Sequence, residues 1–349
     1  MKKWLKLTLI VLGILLILFL FLASGDDKKS NQSNNSKNLN IEWETIMSQD
    51  IAQTSDDWGT PKMLPFSTRG WEEGNYISSD GNTFYFIYTT VDIFRFVLEG
   101  DKTEVGPLLD IKKQCSHRDW PDYQAHNCGS LLKDLGVPRA DLFYVQKTTD
   151  GWSEPKPHPL TLEAPVGGVT MVDNKAYFMI AFTGTVESIG YSEKINGKWN
   201  EPMKIESVSS DYSDSDPYVN NEDNEMFFWS DRPAKFAGKN IYHSIKVGGE
   251  WQAPEILPKP INSDGDDMQT FLFGDDLYFA SDQGDGGKIK IWKSQRSENN
   301  WREPELVISS NFAVGEPSLT ADGKYLYFEQ IFTDGNNNFN PEMMYVERK

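Results

Sequence analysis

The sequence predicts an all-β protein, a five-bladed β-propeller that follows an N-terminal transmembrane helix. Five Trp-x-x-Pro segments begin at Trp58, Trp152, Trp199, Trp251 and Trp301, and the last four tryptophans are 47, 52 and 50 residues apart. A repeat of about 50 residues is typical of propeller blades rather than of helical solenoids. Aromatic residues make up 13% of the 349 residues, which suits packed strands.

The transmembrane helix is predicted from the first residues. Lys2, Lys3 and Lys6 precede the uncharged apolar run Leu7–Ala23, which approaches the ~20 residues needed to cross a bilayer. This length favours an uncleaved anchor over a removed signal peptide. The alternative is a signal peptide that is cleaved at the small residues 23–25. The preceding lysines predict a single-pass protein of the inner or cytoplasmic membrane, with the propeller on the periplasmic or extracellular side.

The rest of the chain divides into a tether and one folded domain. Residues 26–40 are polar and have too little apolar surface to offset the cost of ordering, which predicts a flexible linker. Residues 41–349 form the propeller, with an insertion at about 91–140. The 34 basic and 52 acidic residues give a net charge of −18, which argues against a nucleic-acid partner.

Four strands can be recognised in each repeat, and the third repeat shows them clearly. Residues 216–219 predict an inner strand A, 225–230 a buried strand B, 239–246 a half-exposed strand C and 251–257 an outer strand D. A proline is tolerated in strand D because an outer strand has a free edge. Strand B recurs at 83–88, 175–180, 276–281 and 324–328.

The two ends of the domain complete the count of five blades. The chain ends after a strand C, and the segment 58–65 is a strand D without a blade. Pairing 58–65 with 342–349 closes the ring and removes an exposed sheet edge. A sixth blade within the insertion is the alternative.

Three segments resemble the WD40-like (PD40) repeats of TolB-like and other bacterial envelope proteins. They are Glu73–Phe86, Ser215–Val219 and Gly315–Phe328, and Ser-Asp-Arg at 230–232 matches the end of that repeat. The resemblance covers 58–349 and implies a propeller. Members of that family serve binding, scaffolding and occasionally catalysis, so the resemblance does not imply one activity.

A set of carboxylates near the starts of the A strands is the first candidate site. Glu73, Asp216, Asp267 and Glu316 are predicted at equivalent positions that face the mouth of the central channel. Proximity of like charges raises the pKa of a carboxyl group, as a general acid requires, and carboxylate pairs hydrolyse glycosides. The alternatives are carboxylates that cap loops and a bound cation such as calcium.

The insertion holds the second candidate site. Cys115, His117, His126 and Cys128 lie within 14 residues. Because an exported domain meets oxidising conditions, the sequence favours a Cys115–Cys128 disulfide, with a zinc site formed by all four residues as the weaker alternative. No cofactor is predicted beyond these calcium and zinc alternatives.

The insertion is also the predicted recognition element. It is much longer than ordinary connections, and such loops are often functional. Trp120, Tyr123 and His126 are its candidate contacts. The predicted function is a membrane-tethered module that binds an envelope protein or a glycan, and the alternative is a carbohydrate-active enzyme that uses the channel carboxylates. The Trp-x-x-Pro tryptophans are predicted to pack between adjacent blades.

Overall fold

Five antiparallel sheets form a closed five-bladed propeller, as the sequence predicts. The computed structural model describes residues 43–67, 70–89, 92–95, 131–132, 137–138, 141–160, 166–180, 186–284, 287–298 and 300–349. The ring closes with five blades, because the Ile77 amide of the first blade hydrogen-bonds to Ser318 Oγ of the last at 3.0 Å. The six-bladed alternative is therefore wrong.

The transmembrane part of the predicted fold class is corrected. Within the ranges described above, no helix is long and apolar enough to span a membrane. The apolar run that gave rise to the prediction, Leu7–Ala23, lies outside the described residues, as does the linker 26–40. Hydropathy shows that a segment is apolar but does not fix its conformation. The supported fold class is the five-bladed propeller alone.

The described chain begins outside the blades and then builds the first of them. The elements of this part are α1 (Trp43–Gln49), β1 (Gln53–Thr54), β2 (Lys62–Met63), β3 (Trp71–Ile77), β4 (Thr83–Thr89), β5 (Leu131–Leu132), β6 (Val137–Pro138), β7 (Asp141–Thr148), β8 (Gly151–Trp152) and β9 (Lys156–Pro157). Blade 1 is the sheet β3-β4-β7 with β8 and β9 at its outer edge, and β5 and β6 form a hairpin within the insertion.

Blades 2 and 3 repeat the same order. Their strands are β10 (Val166–Val172), β11 (Lys175–Ile180), β12 (Ser188–Ile195), β13 (Lys198–Trp199), β14 (Met203–Lys204), β15 (Asp214–Val219), β16 (Glu225–Ser230), β17 (Asn240–Val247), β18 (Glu250–Trp251) and β19 (Glu255–Ile256). The predicted strand D is split in two around its proline, since β18 and β19 both pair with β17 on either side of Pro254.

Blades 4 and 5 complete the ring. Their strands are β20 (Asp267–Phe273), β21 (Asp276–Ser281), β22 (Lys290–Ser297), β23 (Asn300–Trp301), β24 (Glu305–Ser309), β25 (Ala313–Leu319), β26 (Tyr325–Thr333) and β27 (Phe339–Glu347). Buried side chains of the β4, β11, β16, β21 and β26 strands fill the space between blades, as the apolar runs at these positions predict.

The predicted ring closure is confirmed by strand pairing. In β2, Lys62 pairs with Tyr345 and Met63 with Met344 of β27. A bridge between Trp58 and Arg348 extends this contact. The chain also adds a strand that the sequence did not predict, because β1 pairs with β24 of blade 4.

The Trp-x-x-Pro tryptophans pack between adjacent blades, as predicted. The Trp251 ring lies 6.0 Å from Tyr177 of the preceding blade, and the Trp301 ring lies 6.4 Å from Phe227. The structure adds a regular partner for each tryptophan, a cation directly across the strand pair. The five pairs are Lys147–Trp152, Lys194–Trp199, Lys246–Trp251, Arg296–Trp301 and Arg348–Trp58.

Candidate functional site

Every inner strand contains a β-bulge that turns one residue into the central channel. The bulged residues share a left-handed backbone conformation, with φ between 42° and 69°. They are Gly74, Gly168, Asp216, Gln269 and Glu316. Left-handed geometry costs a non-glycine residue about 1–2 kcal/mol, so three blades keep strained polar residues here. Such strain is characteristic of functional sites.

The predicted equivalence of the four carboxylates is wrong for two of them. Asp216 and Glu316 occupy the same bulge position, whereas Glu73 lies one residue before its bulge and Asp267 lies two residues before. Asp267 instead corresponds to Asp214 of blade 3. The sequence comparison matched acidic residues with one another and did not show which residue of each strand occupies the bulge. The proline that follows both Asp216 and Glu316 was the distinguishing signal.

A cavity of about 70 Å³, the central cavity, lies where the inner strands begin. Three of the four predicted carboxylates line it, together with Glu329 of β26. Aromatic and aliphatic side chains form most of the remaining wall, including Trp71, Phe94, Trp229, Met268, Ile289 and Ile331. The bulge residues separate it from a second cavity of about 40 Å³ further along the channel.

Burial raises the pKa of every carboxyl group in this cluster. Burial raises the pKa of Glu73 to about 7, although a hydrogen bond from Trp71 opposes the shift. The pKa of Glu316 rises to about 8, first through burial and then through the charges of Glu73 and Asp216. The pKa of Glu329 rises well above its usual range for the same two kinds of reason. Burial also raises the pKa of Asp216, against the Trp229 hydrogen bond and the Lys239 charge.

Indole and amide groups hold these carboxylates in place. Trp71 Nε1 donates to Glu73 at 3.0 Å, and Trp229 Nε1 donates to Asp216 at 2.7 Å. Glu316 accepts from the Asn75 amide of the neighbouring blade at 3.0 Å. Glu329 differs, since it is 6% exposed and its Oε1 has no hydrogen-bond partner in the part of the chain that the structure describes.

Two charged residues that the sequence analysis missed complete the electrostatics. Lys239 is 2% exposed, lines the central cavity and places its ammonium 4.3 Å from the centre of the Trp229 ring. Glu187 is buried beside the cavity. Burial and the charge of Asp216 raise its pKa to about 8, against the opposing charge of Lys239. One cation therefore faces a larger number of carboxyl groups.

Glu329 could have been found from the sequence, and Glu187 and Lys239 could not. Glu329 interrupts the apolar run of β26, and it pairs with Gly315 where the other blades place Ile87, Met179, Trp229 and Ala280. Glu187 and Lys239 precede their C strands in loops of ordinary polar composition. Their approach to the cavity depends on loop geometry that no local pattern records.

Asp267 does not line the central cavity, and its carboxylate is held by hydrogen bonds from neighbouring serines. It accepts hydrogen bonds from the Ser263 amide at 2.6 Å, from Ser263 Oγ at 3.0 Å and from Ser281 Oγ at 2.5 Å. Asp214 repeats this arrangement with Ser210 and Arg232. The loop-capping interpretation of the acidic repeat positions therefore fits Asp267 and Asp214 but not the carboxylates of the central cavity.

We expect Asp267→Ala to lower the free energy of unfolding by about 1–3 kcal/mol, the cost of leaving buried donors without their acceptor. Urea unfolding at pH 6 checks this. The matched control is Asp275→Asn, which changes an exposed turn carboxylate and should leave the unfolding midpoint within error. An unchanged midpoint for Asp267→Ala would contradict the structural role.

The insertion leaves the ring on the face of the central cavity. Strand β4 ends at Thr89, and the Phe94 ring then packs 4.6 Å from Trp71 and 4.8 Å from Phe339. The described start of the insertion, residues 92–95, therefore lies at the face of the central cavity, a placement that strand direction alone left open. The candidate residues of the insertion lie outside the described residues: Cys115, His117, Trp120, Tyr123, His126 and Cys128. The disulfide, the zinc alternative and the recognition residues stay predictions.

The described residues form no metal-binding site. No three side chains of His, Cys, Asp or Glu there are placed so that they could hold a metal ion. The carboxylates of the central cavity are near enough to influence each other's pKa but do not converge as a ligand set.

Comparison with known proteins finds similarities among solved structures. No protein-family model matches the chain, and no curated protein resembles it. Among solved structures, the GH62 α-L-arabinofuranosidase domain of Coprinopsis cinerea is 11% identical with a TM-score of 0.47, over 86% of this chain and 97% of that one. A putative TolB from Agrobacterium tumefaciens is 11% identical with a TM-score of 0.42, over 80% and 91%.

A third similarity involves a larger protein. The puromycin-hydrolyzing peptidase of Mycobacterium tuberculosis is 10% identical with a TM-score of 0.39, over 78% of this chain, which spans 38% of the peptidase. At these identities the similarity concerns the fold alone.

Proposed function

We propose that this propeller is a binding module of the cell envelope, built of PD40-type repeats, whose ligand, a protein or a glycan, is bound at the central cavity. The observation that supports the proposal is a set of four carboxyl groups that line the central cavity, one of which, Glu329, is buried and has an oxygen atom without a partner among the described residues. Burying such groups is costly unless something compensates them. A ligand that does so explains why they are there.

A comparison within the chain strengthens this reasoning. Asp214 and Asp267 are fully buried, and serine hydroxyl and amide groups satisfy their oxygens. Apart from Glu329, the carboxylates of the central cavity are only half-buried. The carboxylates of the central cavity have fewer partners, and they line a space rather than a loop. The same fold therefore contains acidic groups that stabilise it and acidic groups whose arrangement serves another purpose.

Glycoside hydrolysis is the second candidate, and the difference between two carboxylates favours it. Burial raises the pKa of Asp216, while an indole hydrogen bond and the Lys239 charge oppose this rise. Burial and the charges of Glu73 and Asp216 raise the pKa of Glu316 to about 8, which favours its protonated form at neutral pH. Neighbouring carboxyl groups whose environments differ in this way are the kind of pair that such hydrolysis requires.

The size of the central cavity favours binding over hydrolysis. A cavity of about 150 Å³ accommodates benzene, and the central cavity has about half that volume. A sugar ring between Asp216 and Glu316 would require the cavity to widen. Binding of a narrow group needs no such change.

One set of measurements on the full-length protein distinguishes the two proposed functions, binding and hydrolysis. Defined glycans and purified envelope proteins are tested for binding, and aryl glycosides for hydrolysis. We expect a ligand whose affinity falls at least about tenfold in the double variant Asp216→Asn/Glu316→Gln, since buried polar contacts are lost.

Asp322→Asn serves as the control, because this carboxylate is in an exposed turn. Binding that persists in the double variant would place the ligand elsewhere and contradict the proposal. Aryl glycoside turnover that disappears in the double variant and persists in the control would establish the enzyme instead.

A further inference from the structure

We propose that the group bound in the central cavity is a primary ammonium, supplied by a lysine side chain of a protein partner. This inference rests on the proposed function and specifies the chemistry of its ligand. Its support comes from the carboxyl groups, the walls and the size of the central cavity.

The carboxyl groups of the cavity favour a cation, because a bound cation stabilises the ionised form that burial disfavours. Glu73, Asp216, Glu316 and Glu329 line it, and Lys239 is the cation among its described lining residues. Glu329 provides an independent observation, because a 94% buried side chain faces the cavity with an oxygen that accepts no hydrogen bond within the described structure. A buried carboxylate is stabilised by a cation that both pairs with it and donates to it.

The walls favour an organic cation over a metal ion. Trp71, Phe94 and Trp229 present aromatic surfaces, and aromatic faces attract ammonium groups within about 6 Å of the ring centre. Lys239 shows the arrangement within the same cavity, 4.3 Å from the centre of the Trp229 ring. Apolar walls also suit the methylene stem of a lysine. A metal ion would need converging ligands, which the described carboxylates do not provide.

The size favours a chain end over a ring. The cavity of about 70 Å³ is roughly half of what holds benzene, so it accommodates an ammonium with its adjoining carbon atoms and not a pyranose. A lysine side chain has this shape, whereas an amino sugar carries its amine directly on the ring. These volumes favour a protein over a glycan as the source of the ammonium.

The test uses two matched pairs of probes on the full-length protein. The first is a short capped peptide with one lysine and the same peptide with acetyl-lysine. The second is glucosamine and N-acetylglucosamine. Isothermal titration calorimetry at pH 7 and constant ionic strength should show binding of the lysine peptide and at least about tenfold weaker binding after acetylation, since acetylation removes the charge.

Variants tie the effect to the cavity. Glu329→Gln should weaken binding of the lysine peptide, and Asp322→Asn should leave it unchanged. Far-ultraviolet circular dichroism verifies that Glu329→Gln is folded. If that variant does not fold, Trp71→Phe is the second variant, since it keeps the aromatic wall but removes the donor to Glu73.

Each outcome decides the inference. Equal binding of both peptides, binding of glucosamine instead of the lysine peptide, or binding of calcium chloride instead of either would overturn it. If the lysine peptide fails while another envelope ligand still depends on Asp216 and Glu316, only the ammonium inference falls. If no ligand depends on those residues, the proposed function falls as well.

Discussion

The free energy of unfolding should fall as the pH rises from about 5 to about 8, which is opposite to the behaviour of a protein stabilised by ionised carboxylates. The folded-state pKa is about 7 for Glu73 and about 8 for Glu187 and Glu316, against a usual 4.5. Between these values the folded chain binds more protons than the unfolded chain, so stability decreases with pH. The stability linked to these groups is complete below about pH 4.5 and is lost by about pH 8.

The expected size of this effect is large. The shift of Glu73 alone corresponds to about 3 kcal/mol at 1.36 kcal/mol for each pKa unit. Asp223 and Glu225 show the opposite shift, because hydrogen bonds from cationic partners lower their pKa against burial. Their contribution is lost only as the pH falls below about 4. Maximum stability should therefore lie near pH 5.

Urea unfolding at pH 5, 6.5 and 8, at one ionic strength, measures this dependence. Glu316→Gln should flatten it, because the amide does not ionise, whereas the exposed Asp322→Asn should leave the slope unchanged. A midpoint that stays constant or rises between pH 5 and 8 would show that the carboxyl cluster is not buried as described.

Trp58→Ala should lower the free energy of unfolding by about 3–5 kcal/mol, the range for truncation of a buried tryptophan. Trp58 is 2% exposed, bridges to Arg348 and lies under its guanidinium at 4.4 Å. The segment that contains Trp58 joins the start of the propeller to its last blade. Truncation thus weakens the closure of the ring as well as the core, and it favours association through a freed sheet edge.

Thermal and urea unfolding of the Trp58→Ala variant check the size of the effect, and light scattering checks for association. Met63→Ala is the matched control in the same closing segment, because Met63 is 45% exposed and its backbone pairing with Met344 survives the change. Its midpoint should stay close to that of the unaltered protein. Equal effects of the two substitutions would contradict the importance of the tryptophan for closure.

The sequence was informative wherever a strand keeps its local signature. The predicted B strands 225–230 and 276–281 coincide with β16 and β21, because buried apolar runs between turn residues need no distant information. Ring closure was predictable for a different reason. A strand D without a blade and a blade without a strand D leave one pairing that buries both edges.

The candidate site was predictable only in part. Glu73, Asp216 and Glu316 were identified and line the central cavity, whereas Asp267 was grouped with them and caps a loop. Each inner strand contains a bulge, and a period of about 50 residues does not reveal an offset of one or two residues from it. Glu187 and Lys239 reach the site from loops, where position depends on packing against other blades.

The sequence by itself therefore determined the order of the strands and the way the ring closes, and it favoured five blades over six, because these follow from local hydrophobic patterns and from the need to leave no free sheet edge. Only the tertiary structure decided which acidic residues share a cavity, which are capped and which pKa values rise. Those properties depend on burial and on distances between residues more than 100 positions apart, such as Glu73 and Glu316. No segment of the sequence contains that information alone.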